Sequence, residues 1–444
     1  MSAVEEDLDA AGQAAGKKSP SPLRAGSERL APPVSPVGES RGVATFEGPV
    51  SFAGRMLRRL LTSLGNPQVE FVLWSGERIA PLNVAPVVKI HIKDRRTLYG
   101  LLRNPLVQFG DGYSDGRIDI EGDVVALCET AYRGSLVVGG SKSRLHRFVQ
   151  WLQKPRANTL DGSRQNIHAH YDIGNPFYSL WLGKTMAYTC AYYPTESATL
   201  DEAQVAKMHH VSRKLRLRPG DTVVEAGFGW GALALHMAKH YGVKVRAYNI
   251  SHEQVVYARE RAKKEGLESS VEYIEDDYRN ITGKYDAFVS VGMLEHVGLE
   301  NYPHLGAIAR RSLGANGRGL IHSIGRNRAM PLHPWIEKRI FPGAYPPALS
   351  EFAQIFEPNG LSILDVENIR LHYAKTCMHW MDLYEASTDK VKAMFDERFV
   401  RMWRLYLAGS VAAFTTGTLQ LFQVVFTTRE NNDIPLTREY MYSP

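Results

Sequence analysis

The stretch DTVVEAGFGWGALALHMAKHYG, residues 221–242, decides the fold. It reads as a buried strand, a glycine-rich turn and a helix, in that order. Gly227, Gly229 and Gly231 let the backbone turn sharply and come close to a ligand, and the helix N-terminus beyond them offers unpaired N–H groups. This is a nucleotide-type site. Its spacing, E-x-G-x-G-x-G, departs from the dinucleotide fingerprint G-x-G-x-x-G, although a loose match admits either. A G-x-G-x-G turn more often receives S-adenosylmethionine, which has no pyrophosphate to cradle and needs room for a sulfonium and an amino acid. A tight turn that serves only the sheet is the plain alternative.

The neighbouring segments extend the pattern. The next strand, KVRAYNIS, ends on Asn249 where a dinucleotide enzyme and many methyltransferases carry an acid for the ribose hydroxyls, and Gln254 follows on the next helix. A third strand, SVEYIEDDYRNI, ends in Asp276 and Asp277, placed to reach an adenine amino group. From residue 169 onward apolar strands alternate with helices, as in a parallel sheet covered on both faces, an α/β doubly wound architecture with ligand contacts outside the carboxyl ends of the strands. The fourth strand, YDAFVSVGMLEHVG, raises a problem of its own. Glu295 lies in what reads as the end of a buried strand, where a carboxylate is costly unless something pairs with it. His296 would face the other way if the strand continues, and is left out of the catalytic set.

Elsewhere the chain of 444 residues is long enough for two packed domains and a tail. Residues 1–44 are rich in Ala, Gly, Ser and Pro without periodic hydrophobicity and read as a disordered tail. Residues 45–140 read as a small α+β unit, with strands in VEFVLWSGERI, VVKIHIKD and RIDIEGD and a helix in RRTLYGLLRNP. A basic helix and linker follow over 141–168, the α/β domain over 169–430 and a C-terminal tail over 431–444. There is no apolar run of 18 residues, so nothing is expected to cross a bilayer. The opening MSAVEEDLDAAG is acidic and lacks an apolar core, so no secretory signal is expected. Cys128, Cys190 and Cys377 are too few and scattered for a disulfide framework or a four-cysteine zinc site; no metal is expected, and a reducing cytosol is the default.

A formal charge of +6 favours an anionic partner: nucleic acid, an acidic metabolite or a membrane surface. The positive charge collects in GRMLRRLLTSLG and SKSRLHRFVQWLQKPR. In the first, Phe52, Met56, Leu57, Leu60, Leu61 and Leu64 fall at helical spacing, with Arg55, Arg58 and Arg59 on other faces. Such basic amphipathic helices lie on an anionic bilayer or dock on their own domain. Basic patches interleaved with stacking aromatics, the mark of a nucleic-acid binder, are not evident.

From about residue 168 to 428 the chain resembles the cyclopropane fatty acid synthase family, which includes the mycolic acid cyclopropane synthases. The resemblance rests on HYDIGNPFYSLWLG, MAYTCAYY, LDEAQVAKM, EAGFGWG, NISHEQ, DDYRN, VGMLEHVG, LIHSIG, PWIEKRIFPGAYPP, HYAKT and RMWRLYLAGSVAAF, in that order. It implies a seven-stranded Rossmann-like class I methyltransferase fold. It also implies that a cis double bond in an unsaturated membrane phospholipid attacks the methyl group of S-adenosylmethionine, and that a proton then leaves the added methyl as a cyclopropane closes. The base implied is a bound bicarbonate ion, held by Cys190, Glu295, His322, Ile324 and Tyr373, with Glu295 accepting a hydrogen bond from its hydroxyl; the ion would satisfy the buried carboxylate.

Carried over in the same way, Tyr188 and Thr189 reach the amino acid end of the cofactor, Gly227 and Gly229 form its backbone loop, Asn249 and Gln254 serve the ribose, and Asp277 and Tyr278 the adenine side; Gly231 and Ile250 complete the cofactor-binding set. The aromatics of YTCAYY with Phe341, Tyr345, Trp380 and Tyr384 either face a developing cation or simply pack. Departures from the family pattern are Phe228 where cysteine is usual, Glu225 for aspartate, Asn249 for threonine, Ser410 for cysteine and Thr415 for arginine. They leave open whether the product is a cyclopropane or a methylene or methyl-branched chain, while Glu295 argues against a hydroxylated one. The N-terminal unit resembles the accessory domain of phospholipid-acting bacterial members, which implies a cytoplasmic protein, peripheral on the inner face of an anionic membrane. Family members are often dimers, and the sequence shows no interface. The rivals are a small-molecule or RNA methyltransferase, disfavoured by the Cys190, Glu295, His322 and Tyr373 set, and a lipid-binding protein without activity.

Overall fold

The computed structural model describes residues 51–63, 66–81, 85–138 and 173–443. The expectations of a disordered tail over 1–44 and a basic helix over 141–168, and the place of Leu64, lie outside them. The N-terminal segment forms strands β1 (Val69–Leu73), β2 (Arg78–Ile79), β3 (Val88–Ile92) and β4 (Ile118–Glu121) in the order β2-β1-β3-β4, with β1 and β3 parallel. Alternation in β3 buries Val88, Ile90 and Ile92 while Lys89 and His91 stay half-exposed, which suits one covered face. Helices α1 (Phe52–Ser63), α2 (Arg95–Arg103), α3 (Pro105–Ser114) and α4 (Val124–Val138) accompany this sheet. In α1, Leu57 and Leu61 enter the core, whereas Phe52, counted with them by spacing, is 63% exposed. Asp94 caps α2 by accepting from the Thr97 N–H at 2.8 Å.

The second sheet has seven strands: β5 (Thr222–Ala226), β6 (Lys244–Asn249), β7 (Val271–Glu275), β8 (Tyr285–Val291), β9 (Leu313–Gly325), β10 (Leu361–Asn368) and β11 (Gln420–Thr428), in the order β10-β11-β9-β8-β5-β6-β7. The order reverses beside β5, whose carboxyl end is therefore an open crevice. The connecting helices are α5 (Leu200–Lys214), α6 (Ala232–Tyr241), α7 (His252–Glu265), α8 (Tyr302–Ser312), α9 (Leu349–Phe356), α10 (Arg370–Glu385) and α11 (Glu397–Thr415). One face of the sheet packs Val223, Val289 and Leu320 against Met208, Leu235 and Met237, and the other packs Phe288 and Phe426 against Leu305, Ile308 and Phe356. The sheet is thus doubly wound, as expected.

Two expectations are corrected. The sheet is not wholly parallel, because β11 runs antiparallel to both β9 and β10; a strand reached after a long helical excursion can enter in either direction, and apolar patterning carries no sign of which. Strand β8 stops at Val291, and Glu295 sits in a 3₁₀ turn, Leu294–His296, so His296 is not on the back of a strand but half-buried with its ring 6.0 Å from that of Phe341.

All described residues fall in one compact unit. Helix α11 joins the two sheets: Arg401 donates to the carbonyls of Tyr113 at 2.6 Å and Ile118 at 2.8 Å, and Arg398 pairs with Asp115 at 2.7 Å. Arg339 makes a two-pronged bond to Asp111 at 2.9 and 2.8 Å. Trp335 lies so close over Gly110 that any side chain there would collide with the indole. The last residues are also anchored, since the Met441 carbonyl accepts from Arg213 at 3.2 Å.

Candidate active site

The glycine loop turns because Gly227, Gly229 and Gly231 all hold positive φ, at 82°, 57° and 80°. Their reasons differ. A Cβ on Gly227 would meet Met293 at 2.9 Å, and one on Gly231 would collide with the Tyr273 hydroxyl, whereas one on Gly229 would meet nothing within 4 Å. Gly231 thus serves packing, its carbonyl accepting from Tyr273 at 2.7 Å, and Gly229 faces open space of the kind a cofactor would fill. Asn249, at the end of β6, donates to Gln254 at 2.8 Å and to the Gly229 carbonyl at 3.3 Å, and its own oxygen accepts from Ile250 N–H at 2.8 Å. Asn249 and Gln254, assigned to the ribose, therefore form one cluster with Ile250 against the loop. Asp277 accepts from Arg279 N–H at 2.9 Å, and the Arg279 guanidinium lies 5.4 Å from the buried Tyr278 ring.

Glu295 is reached from β9: the Ile324 N–H donates to its Oε1 at 2.6 Å, while Oε2 is buried with no partner among the described residues. Burial pushes its carboxyl pKa up to about 7. His322 lies two residues earlier on the same face of β9, buried, its Nδ1 taking a 3.1 Å bond from the Gln423 amide. That bond places the proton on Nε2, which also has no partner among the described residues. Burial, then the charges of Lys207 and Lys214, holds the imidazole neutral by lowering its pKa well below the usual value.

Tyr373, on α10, stacks on Phe414 at 4.4 Å. Burial, with Cys377, Tyr406, Cys190 and Glu295 around it, drives its pKa far up and keeps the phenol protonated. Cys190 is fully buried, its thiol donating to the Ala191 carbonyl at 3.1 Å, and it too is held protonated by burial. The five residues assigned to the bicarbonate thus come from the loop before α5, the turn after β8, strand β9 and helix α10; Ile324 meets Glu295 directly, and Tyr373 lies within electrostatic reach of both Glu295 and Cys190. His322 Nε2 and the Tyr373 phenol carry protons to donate, and Glu295 Oε2 is an acceptor with no partner among the described residues. A small oxyanion with one hydroxyl fits that set.

The walls are aromatic. Tyr188 and Tyr406 share a 2.7 Å hydroxyl contact, and Tyr188, Trp181 and Trp380 meet with ring centroids 5.2 to 5.8 Å apart. Phe341 lies 5.6 Å from Tyr406, but the hydroxyls of Tyr345 and Tyr384 are spent on Glu351 and the Val400 carbonyl. Ser410 and Thr415 turn their hydroxyls back onto α11, to the carbonyls of Tyr406 and Val411.

Sequence reasoning missed two residues here. Gln423 is the middle of a row across three strands, Glu367 on β10, Gln423 on β11 and His322 on β9, paired in register. Glu367 in turn takes His210 at 2.7 Å and Lys214 at 2.5 Å. The signal was a glutamine inside the apolar run LFQVVF of a fully buried strand. Lys207 is the other: buried on α5, it donates to the Thr189 hydroxyl at 3.0 Å and lies near Glu225, and burial pushes the lysine pKa down and the carboxyl pKa up.

Residues 158–424 match the mycolic acid cyclopropane synthetase family, and residues 56–138 match a domain of unknown function, DUF7884. The chain is 38% identical to the cyclopropane-fatty-acyl-phospholipid synthase of Escherichia coli K12 over 61% of its own length and 69% of that protein's. It is 32% identical to the tuberculostearic acid methyltransferase UfaA1 of Mycobacterium tuberculosis over 84% of its own length and 90% of that protein's. Among solved structures, the mycolic acid cyclopropane synthase CmaA1 complexed with SAH and CTAB superposes with a TM-score of 0.57 at 29% identity, covering 59% of this chain and 97% of that one.

Proposed function

The chain belongs to the mycolic acid cyclopropane synthetase family of methyltransferases, and from that premise we propose that it transfers a methylene group from S-adenosylmethionine to the cis double bond of unsaturated phospholipid acyl chains, forming cyclopropane fatty acids. S-adenosylmethionine supplies an electrophilic methyl group, and bicarbonate bound beside it supplies a base that carries no side chain to be alkylated. Tyr188, Thr189, the loop of Gly227, Gly229 and Gly231, and the cluster of Asn249, Ile250, Gln254, Asp277 and Tyr278 hold the first. Cys190, Glu295, His322, Ile324 and Tyr373 hold the second. Glu295 accepts, His322 Nε2–H and the Tyr373 phenol donate, and Ile324 keeps the carboxylate aimed through its N–H. The aromatic walls exclude water from the reacting carbons.

The observation that carries this reading is the pair of buried atoms with no partner among the described residues, Glu295 Oε2 and His322 Nε2, one an acceptor and the other a donor. Domains spanning 45–140 and 169–430 divide the work, the first meeting an anionic membrane face from the cytoplasmic side and the second holding the chemistry. Among the described residues no helix is long and apolar enough to cross a membrane, consistent with a peripheral enzyme.

A second reading, methyl-branched or methylene products from the same substrates, is favoured by the similarity to a tuberculostearic acid methyltransferase over most of the chain. Mass spectrometry of vesicle acyl chains after incubation with methyl-deuterated S-adenosylmethionine separates the two. Two deuteriums retained in a product that resists alkene hydrogenation supports the cyclopropane. Three retained, or a hydrogenation-sensitive product, supports the second reading. No mass gain refutes both.

A further inference from the structure

Outside the active site, the N-terminal unit carries a cleft of about 840 Å³ lined by Arg96, Tyr99, Arg103, Gln108, Asp115 and Arg117. Arg96, Tyr99 and Arg103 repeat at three and four residues on α2, so they share one face of that helix. Tyr99 is 56% exposed, and the side chains of Arg96 and Arg103 have no ion-pair partner among the described residues. The cleft's one acid is already engaged: Asp115 takes Arg117 at 2.7 Å on one oxygen and Arg398 at 2.7 Å on the other. The cleft therefore keeps an excess of positive charge, in forked guanidinium groups that suit a phosphate better than a point cation does. Gly100 sits between them, where a Cβ would press on the Gln108 amide at 3.0 Å, so the floor admits no larger residue without a shift.

Its position makes the cleft more than a charged surface. Arg398 belongs to the first turn of α11, and eight residues further along the same helix is Tyr406, which touches the Tyr188 hydroxyl in the active-site wall. At about 1.5 Å per residue, the two points are about 12 Å apart along the axis. In a bilayer each leaflet contributes about 15 Å of hydrocarbon beneath a headgroup layer of roughly 5 Å, so a lipid phosphate and the middle of its own acyl chain are separated by about 12 Å. Resting on the phospholipid reading above, we propose that the Arg96–Arg103–Arg117 cleft holds the phosphodiester of the lipid whose acyl chain enters the active site, with α11 setting the spacing between headgroup and double bond.

The full chain and its Arg96→Ala/Arg103→Ala variant test this. Methyl transfer is measured on a cis-monounsaturated phosphatidylglycerol and on the methyl ester of the same fatty acid, in the same detergent micelles. The variant should raise KM for the phospholipid by roughly tenfold or more, as expected for two lost charge-assisted contacts, and leave kcat/KM for the phosphate-free ester within about twofold. An unchanged phospholipid KM, or an equal fall on both substrates, overturns the proposal. Calorimetric binding of dihexanoyl phosphatidylglycerol below its micellar concentration reads the site without turnover: weakening by roughly tenfold in the variant supports it even if the wild type methylates neither substrate, which would instead sink the functional reading. Inorganic phosphate binding as tightly as the short-chain lipid assigns the cleft to free phosphate and overturns the lipid assignment.

Discussion

Replacing Glu295 by Gln tests the active-site electrostatics through stability as well as turnover. The carboxyl pKa is raised from its ordinary 4.5 to about 7, and burial is the principal cause. A group that holds its proton more tightly when folded is neutral in both states below about pH 4.5 and costs the fold nothing there. As pH rises through 7 the folded protein must either keep a proton the unfolded chain has released or bury a charge, so stability is lost between about pH 4.5 and 7. One pKa unit is worth 1.36 kcal/mol, so the full cost is about 3 kcal/mol. The glutamine never ionises. Its carbonyl keeps the Ile324 N–H bond and its amide nitrogen stands in place of Oε2, which has no partner among the described residues, so desolvation of that atom is similar in both proteins. Urea unfolding followed by tryptophan fluorescence, in bicarbonate-free buffer, should therefore show the variant within about 1 kcal/mol of wild type at pH 5 and more stable by about 2–3 kcal/mol at pH 8.5. Product formation should fall by roughly 10²-fold or more at both pH values. A stability difference that does not change between pH 5 and 8.5 would refute the reasoning, because it would mean that Glu295 is not held near neutrality by burial.

Gln423→Leu removes the donor to His322 Nδ1 and should cut turnover by roughly tenfold with S-adenosylhomocysteine affinity unchanged. Gln423→Glu, which forces the proton onto Nδ1, should be worse, and equal activity in the two variants would contradict a tautomer role. Gly229→Ala, at φ 57° with open space beside it, should cost about 1–2 kcal/mol in melting experiments and weaken S-adenosylhomocysteine binding in calorimetry. Gly231→Ala, driven against Tyr273 and Ala258, should lose stability beyond that strain, by about 1–3 kcal/mol more. A double-mutant cycle on Arg339→Ala and Asp111→Ala should give a coupling of about 1–3 kcal/mol in urea unfolding if their two-pronged bond fastens the sheets together, and additive effects would show that it does not.

The glycine loop, the alternation of strands and helices, and the small N-terminal sheet were all legible in the chain, because each is written in residues a few positions apart: φ-permissive glycines, buried runs, capped helix starts. Glu295 was legible as a problem, an acid in an apolar run, and the family resemblance supplied candidate neighbours that no local pattern contains. What the sequence could not specify was adjacency across strands. The proximity of Glu295 to His322 depends on β8 lying beside β9, and the partner that sets the imidazole tautomer depends on β11 entering antiparallel in a register that places Gln423 opposite His322. Register and strand direction are decided by the packing of whole faces, and a shift of one residue would have turned Gln423 to the opposite face of the sheet. The sequence by itself determined the kind of sheet and the loop that receives a cofactor. Only the tertiary structure decided which buried polar groups meet, because a hydrogen bond between residues a hundred positions apart exists only once the sheet has closed around it.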